Sequence, residues 1–173
     1  MTENSFFTTI RCMVYLIDGH NLIPNIRGLS LELPDDEIQL VELLQEFCRR
    51  RRKTVEVFFD NAPPGQPSAR VFGPVKARFV RQGQTADQAI YRRLEQLGEA
   101  RRNYTVVSSD WQVLAAGRGR GAKAISAEQF ARLLREALQE SETQTAQREE
   151  ANLPPEEIDD WLEIFGSAEG EEP

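Results

Sequence analysis

Met13-Val14-Tyr15-Leu16-Ile17-Asp18-Gly19-His20-Asn21-Leu22-Ile23 is the stretch on which the fold turns. A short uninterrupted apolar run that stops at Asp18-Gly19 reads as a buried strand followed by a turn. Downstream, Pro34-Asp35-Asp36 precedes Ile38, Leu40, Val41, Leu43, Leu44 and Phe47, which recur at helical spacing. Asp35 or Asp36 suits the cap of that helix, and Arg49 to Lys53 suit its carbonyl end. Thr54 to Phe59 forms a second strand that ends at Asp60, and Asn61 to Ser68, with three prolines and a glycine, reads as a loop.

Val75 to Val80 is a third strand, turned by Gln82-Gly83-Gln84. Thr85 and Gln88 make a capping box, opening a helix that points Ala89, Ile90, Leu94 and Leu97 inward. Tyr104 to Val107 is a fourth strand ending in Ser108-Ser109-Asp110. A short helix follows with Trp111, Val113 and Leu114, closed by Gly117-Arg118-Gly119-Arg120-Gly121. Ala124-Ile125 is a fifth strand, and Ser126 caps a helix running through Leu138. Strands that alternate with helices predict an α/β fold, a mostly parallel sheet with helices on both faces.

Outside this core the pattern fades. Residues 1–12 show none of their own and read as an N-terminal extension without the layout of a secretory signal, and Met13 is an alternative start. Residues 13–138 form the domain. Residues 139–173 form an acidic linker, or helix extension, and a short helix. In that helix Ile158, Trp161, Leu162 and Phe165 make one apolar stripe, which calls for docking on the domain itself or on a partner.

The net charge of −7 divides unevenly. From Gln139 onward twelve acids stand against Arg148 alone, while the first 138 residues hold twenty bases and sixteen acids. A body of +4 therefore carries a tail of −11. Such a body suits a polyanionic partner, and the tail is either a solubilising segment or a competitor for the same surface. No apolar run approaches the ~20 residues of a membrane span. Cys12 and Cys48 lack metal-ligand spacing and read as reduced cytosolic thiols, so the expected location is the cytoplasm.

Four aspartates occupy one kind of place. Asp18 and Asp60 end strands, Asp87 opens the helix after the third strand, and Asp110 follows the fourth strand within two residues. In a parallel sheet the carboxyl ends share one edge, where ligands bind. Carboxylates gathered there repel at roughly 4 kcal/mol per close pair at an effective dielectric near 20, so protons or a cation must relieve them. Oxygen ligands without His or Cys suit Mg²⁺ or Mn²⁺ and argue against zinc. An aspartate at a strand-to-helix turn is often only a cap. Thr85 fills that role near Asp87, and Ser108 or Ser109 is able to near Asp110. Asp18 adjoins no evident helix start.

Asn21, three residues after Asp18, is placed to orient a carboxylate, to touch substrate, or simply to turn the chain. His20 reads as an exposed loop histidine. No histidine is set to activate Ser108 or Ser109, so serine-type hydrolysis is unsupported. Arg78 and Arg81 flank the end of the third strand. Arg118, Arg120 and Lys123 sit in the glycine-rich loop, where guanidinium groups and backbone amides suit phosphates. Arg92, Arg93, Arg101 and Arg102 read as a solvated face.

Ile17-Asp18-Gly19-His20-Asn21-Leu22-Ile23, Val57-Phe58-Phe59-Asp60, Gly83-Gln84-Thr85-Ala86-Asp87, Val107-Ser108-Ser109-Asp110 and Gly121-Ala122…Ile125-Ser126-Ala127-Glu128 together resemble the NYN domain, in particular the YacP-like branch of the PIN-like nucleases. The resemblance runs over about residues 13–138. It implies a PIN-like three-layer α/β/α sandwich and metal-dependent RNA cleavage. Its acidic positions fall on Asp18, Asp60, Asp87 and Asp110, and its motif asparagine on Asn21. Gln84 stands where the family often has Glu, and Asn61 where it often has Ala.

The expected function is endoribonucleolytic hydrolysis. Asp18, Asp87 and Asp110 hold one or two Mg²⁺ or Mn²⁺ ions, Asp60 shapes the site or binds through water, and Arg78, Arg81, Arg118, Arg120 and Lys123 hold RNA, ribosome-associated mRNA included. The alternative is an RNA- or ribosome-binding module with a weak or inactive site. A phosphohydrolase using a nucleophilic Asp would need an acid at position 20, which is His.

Overall fold

The computed structural model describes residues 13–31, 35–62, 65 and 67–151, arranged in two compact units, Met1–Ala137 and Leu138–Pro173. In chain order the elements are β1 (Val14–Asp18), α1 (Gly19–Leu22), α2 (Asp36–Arg51), β2 (Thr54–Ala62), β3 (Ala69–Phe72), β4 (Val75–Arg81), α3 (Ala86–Leu97), β5 (Tyr104–Ser108), α4 (Trp111–Gly119), β6 (Lys123–Ser126) and α5 (Ala127–Ala151). The six strands form one sheet in the order β3-β4-β2-β1-β5-β6, parallel except for the β3–β4 pair.

β1 lies at the centre because its apolar residues are covered on both faces: Leu16 and Ile17 are fully buried and Tyr15 nearly so. Alternation along the strands splits the core in two. On one face Leu16, Phe58, Val80 and Val106 pack under Ile90 and Leu94 of α3 and Val113 of α4. On the other, the rings of Tyr15, Phe47 of α2 and Phe130 of α5 meet edge to face at 5.1–5.8 Å. Each such side chain contributes about 1.5–3 kcal/mol by leaving water. The result is the expected three-layer sandwich.

Two differences from the sequence reading concern local structure. β3 is a strand that the composition did not disclose. It is four residues long, it lies at the sheet edge, and Arg70 and Val71 are exposed, so no apolar run marks it. Gly73 at φ +57° and Pro74 turn it into β4, with glycine at the first central position of a two-residue hairpin. Asp36 also does not cap α2. Its buried carboxylate accepts from the Ser30 backbone N–H at 3.0 Å, tying the preceding segment to the helix.

α5 continues past Leu138 to Ala151, so the polar stretch from Ser141 is helical at least that far. The short helix expected over residues 156–166 and the extension 1–12 lie outside the described residues. Cys48 is buried, and burial pushes its thiol up to about 12, which makes it inert. Among the described residues no helix is long and apolar enough to cross a membrane.

The topology fixes where a ligand would bind. From β1 the chain moves outward on one side to β2 and the edge strand β3, comes back to β4 between them, then crosses to the other side for β5 and β6. Right-handed crossovers in opposite directions place α2 and α4 on opposite faces, and the crevice between β1 and β5 opens at their carboxyl ends.

Candidate active site at the carboxyl edge

Register brings the first acidic group to that crevice. Asp18 pairs with Phe58 of β2, while Ile17 pairs with Val107 of β5, so Ser108 stands level with Asp18. The chain must then turn at once into α1, and it does so only because residue 19 is glycine. A Cβ there would lie 2.6 Å from Phe59 Cδ1 and 3.0 Å from the Phe58 carbonyl oxygen.

Asp18 is 5% exposed and is fixed from one side. Its Oδ1 accepts from the Asn21 backbone N–H at 3.2 Å and its Oδ2 from Asn21 Nδ2 at 2.8 Å. Asp18 thus caps α1, a one-turn helix too short to show an apolar period, which corrects the expectation that no helix starts there. Asn21 Nδ2 also donates to Ser108 Oγ at 3.1 Å, and Ser108 Oγ accepts the Asp110 backbone N–H at 3.1 Å. Ser109 Oγ donates to the Asn21 carbonyl at 3.3 Å. Asn21 is therefore the bracket between the ends of β1 and β5.

Asp110 caps α4 itself, accepting from Gln112 N–H at 2.7 Å. The expectation that a serine frees it from this duty is corrected: Ser108 is fully buried and holds Asp110's backbone instead. Thr85 does cap α3, accepting from Gln88 N–H at 3.3 Å, which leaves the Asp87 side chain to the crevice. Asp60 lies within β2, where the pairing with β4 shifts register between Phe59 and Ala62, and its Oδ1 is buried without a hydrogen-bond partner.

Asp18 and Asp87 each feel acidic neighbours. Burial first, then the charges of Asp87 and Asp60, push Asp18 up to about 6 against the bond from Asn21. Asp87 is likewise raised, first by burial and then by Asp110 and Asp60, with a hydrogen bond to Asp18 opposing. No lysine or arginine is among the groups acting on either. His20 is the basic group in reach. It sits in α1 rather than a loop, half-buried, with Nε2 3.1 Å from Glu37 Oε1 and its ring against Phe59. The Glu37 bond raises its pKa, with burial opposing.

The donor set fits a hard divalent cation by its chemistry: carboxylate oxygens only, mutually repelling, one of them an orphan. Among the described residues, however, no three acidic, His or Cys side chains stand together in ligating arrangement.

The basic residues are dispersed. Arg118, Arg120 and Lys123 do not rim the aspartates. Lys123 pairs with Thr105 at the start of β5, so they stand at the amino edge of the sheet. Arg118 lies in the last turn of α4 and Arg120 and Lys123 beyond it, so most of that helix, at about 1.5 Å per residue, separates them from Asp110. Arg118 donates to the Ala124 carbonyl, and Arg120 to that of Ala116 while lying over Tyr91 at 5.0 Å. Arg78 is bonded to Glu56 at 2.8 Å, and Arg81 is exposed at the end of β4.

Sequence reasoning missed Glu56. It is 6% exposed and takes Arg93 Nε and Nη2 at 2.6–3.0 Å as well as Arg78. Arg93 therefore does not belong to a solvated face. A charged residue at the middle of an apolar strand was the signal available.

A family model described as the YacP-like NYN domain matches residues 15–163. Among solved structures, Rae1 (YacP) from Bacillus subtilis is 21% identical, with 88% of this chain and 92% of that chain covered at a TM-score of 0.66. A mutant of the same protein matches at 22% identity, 84% and 89% coverage, and a TM-score of 0.65. No curated protein matches.

Proposed function

The chain belongs to the YacP-like NYN domain family, and from that premise we propose that it is a metal-dependent endoribonuclease that hydrolyses RNA phosphodiester bonds in the cytoplasm. One observation carries the reading: at the carboxyl edge, beside the switch point, buried Asp18 is set against Asp87 and Asp60, and among the described residues no lysine or arginine is among the groups acting on Asp18 or Asp87. Such an arrangement costs stability, and a functional site is the usual reason for it.

Asp18, Asp60 and Asp87, with Asp110 beside them, would hold Mg²⁺ or Mn²⁺. When bound, the ion supplies Lewis acidity and a water of lowered pKa. The chain's own residues do the rest. Asn21 fixes both oxygens of Asp18, so the carboxylate meets its ligand in one orientation. Ser108 locks the ends of β1 and β5 together. Asp60 adds a buried oxygen that has no hydrogen-bond partner.

The test is cleavage of RNA by the purified chain with Mn²⁺, together with its melting temperature. Metal at ~100 times its Kd should stabilise the fold by about 2.7 kcal/mol, and Asp18→Asn should erase both this gain and the cutting. Undiminished cutting by Asp18→Asn/Asp87→Asn would refute the assignment.

A second reading has its own support. Asp18 and Asp110 already serve as helix caps, and Gln84 removes one acid, which favours an RNA-binding module with a weak or inactive site. Such a module holds RNA in EDTA and never shortens it.

A further inference from the structure

A cavity of about 370 Å³ lies between β4 and α3, on whose walls Arg78, Arg81, Arg92 and Arg93 converge with Gln84 and Gln96. Its size falls within the ~300–1,000 Å³ of small-ligand sites. Four guanidinium groups around one space need an anion. Glu56 supplies a single charge and spends it on Arg78 and Arg93, so the four arginines and one glutamate leave +3. Arg92 donates to the neutral Gln84 at 3.2 Å, and neither it nor Arg81 has a carboxylate partner among the described residues. The division is informative. Glu56 holds two arginines rigid at the back of the cavity, while two exposed ones at its front keep their donors for a ligand.

We infer that this cavity binds the phosphate monoester of a nucleotide, as a site separate from the four aspartates. Guanidinium forks match phosphate oxygens two at a time. A surplus of three positive charges suits a monoester, which carries about −1.5 to −2 at neutral pH, better than the single charge of an internal phosphodiester. The amides of Gln84 and Gln96 leave neutral donors and acceptors for the rest of the nucleotide. Arg81 ends β4, and Gln84 stands three residues before Asp87, so the cavity reaches the same sheet edge as the candidate active site. The phosphate could thus belong to the end of an RNA strand whose body crosses the aspartates, which rests on the proposed function, or to a free nucleotide, which does not.

The experiment is binding by the full chain in EDTA, so that no cleavage intervenes. The probes are an oligouridylate of about ten residues with a 5′-phosphate, the same strand with a 5′-hydroxyl, uridine monophosphate and inorganic phosphate. The phosphorylated strand should bind at least ~10-fold tighter than the hydroxyl strand. Arg81→Ala/Arg92→Ala, both exposed positions, should abolish that preference while keeping the wild-type melting temperature. Competition by uridine monophosphate would identify a free nucleotide as sufficient, and its failure to compete would identify the strand end. If uridine monophosphate binds through these arginines and neither strand does, the inference stands and the ribonuclease reading falls. Equal binding of the two strands with no binding of uridine monophosphate would overturn the inference, even if the RNA is cut when metal is returned. So would a preference that survives the double substitution, or binding of inorganic phosphate alone.

Discussion

Two carboxylates in this molecule are equally buried and titrate in opposite directions. Glu56 is 6% exposed and Asp18 is 5% exposed. Burial pushes both upward. In Glu56 the hydrogen bonds and charges of Arg93 and Arg78 outweigh it, and the group ends below its ordinary value. In Asp18 the neighbours are Asp87 and Asp60, which add to burial, and the group rises to about 6. The first carboxylate is solved within the chain. The second is left to be relieved by a proton or a cation, and under the proposed function that is the difference between an ion cluster that only holds the fold and one that works.

The sharpest break of this contrast is Asp18→Asn. Under the proposed function it lowers single-turnover cleavage about a thousandfold, some 4 kcal/mol of barrier at 1.36 kcal/mol per tenfold. Asparagine keeps one oxygen for the Asn21 backbone N–H and removes a repelling charge, but its NH2 then faces the Asn21 Nδ2 donor, so a modest fall in melting temperature accompanies the loss of cutting. Cleavage at the wild-type rate would remove Asp18 from the site.

Glu56→Ala should do the reverse, weakening the fold rather than only the chemistry. It strands two arginines, at a cost of about 3 kcal/mol, the low end of the range because both keep roughly a quarter of their side chain in water. Urea unfolding reads this directly, and a loss under about 0.5 kcal/mol would show that the cluster holds nothing together.

Ser108→Ala lies between the two. It removes the acceptor shared by Asn21 and the Asp110 N–H, costing about 1–2 kcal/mol and, by loosening Asp18 and Asp110, about tenfold in cleavage. Loss of stability without loss of rate would mean that the bracket does not position the acids.

The smallest effect is in pH. Because the Glu56 pKa is depressed, its contribution is present above the unfolded value near 4.5 and is lost as pH falls through the lower folded value. The stability gap between wild type and Glu56→Gln should therefore hold at neutral pH and narrow below pH 4.5. A gap that widens in acid would reverse the sign assigned to this carboxylate.

Much of this was legible in the residue order, and the failures have particular causes. The runs at Tyr15–Ile17, Val57–Phe59 and Val106–Val107 announce buried strands because a segment covered on both faces is mostly apolar whatever its neighbours are. Thr85 announces its helix because capping acts over three residues. The edge strand β3 carried no such mark, since half of it faces water. Arg118 and Arg120 stand eight and ten residues after Asp110, close along the chain, yet a helix carries them to the opposite edge of the sheet. Arg78 and Arg93 stand 22 and 37 residues from Glu56, far along the chain, and touch it.

The residue order by itself determined which segments bury and that four aspartates fall at or near the carboxyl ends of strands or the helix starts that follow them. It did so because burial and capping are settled within a few residues. Only the tertiary structure decided which acid meets which charge, and so which carboxylate is satisfied, which is strained, and where four arginines enclose a space. Charge interactions fall off with distance through space, and the sheet sets that distance without regard to separation along the chain.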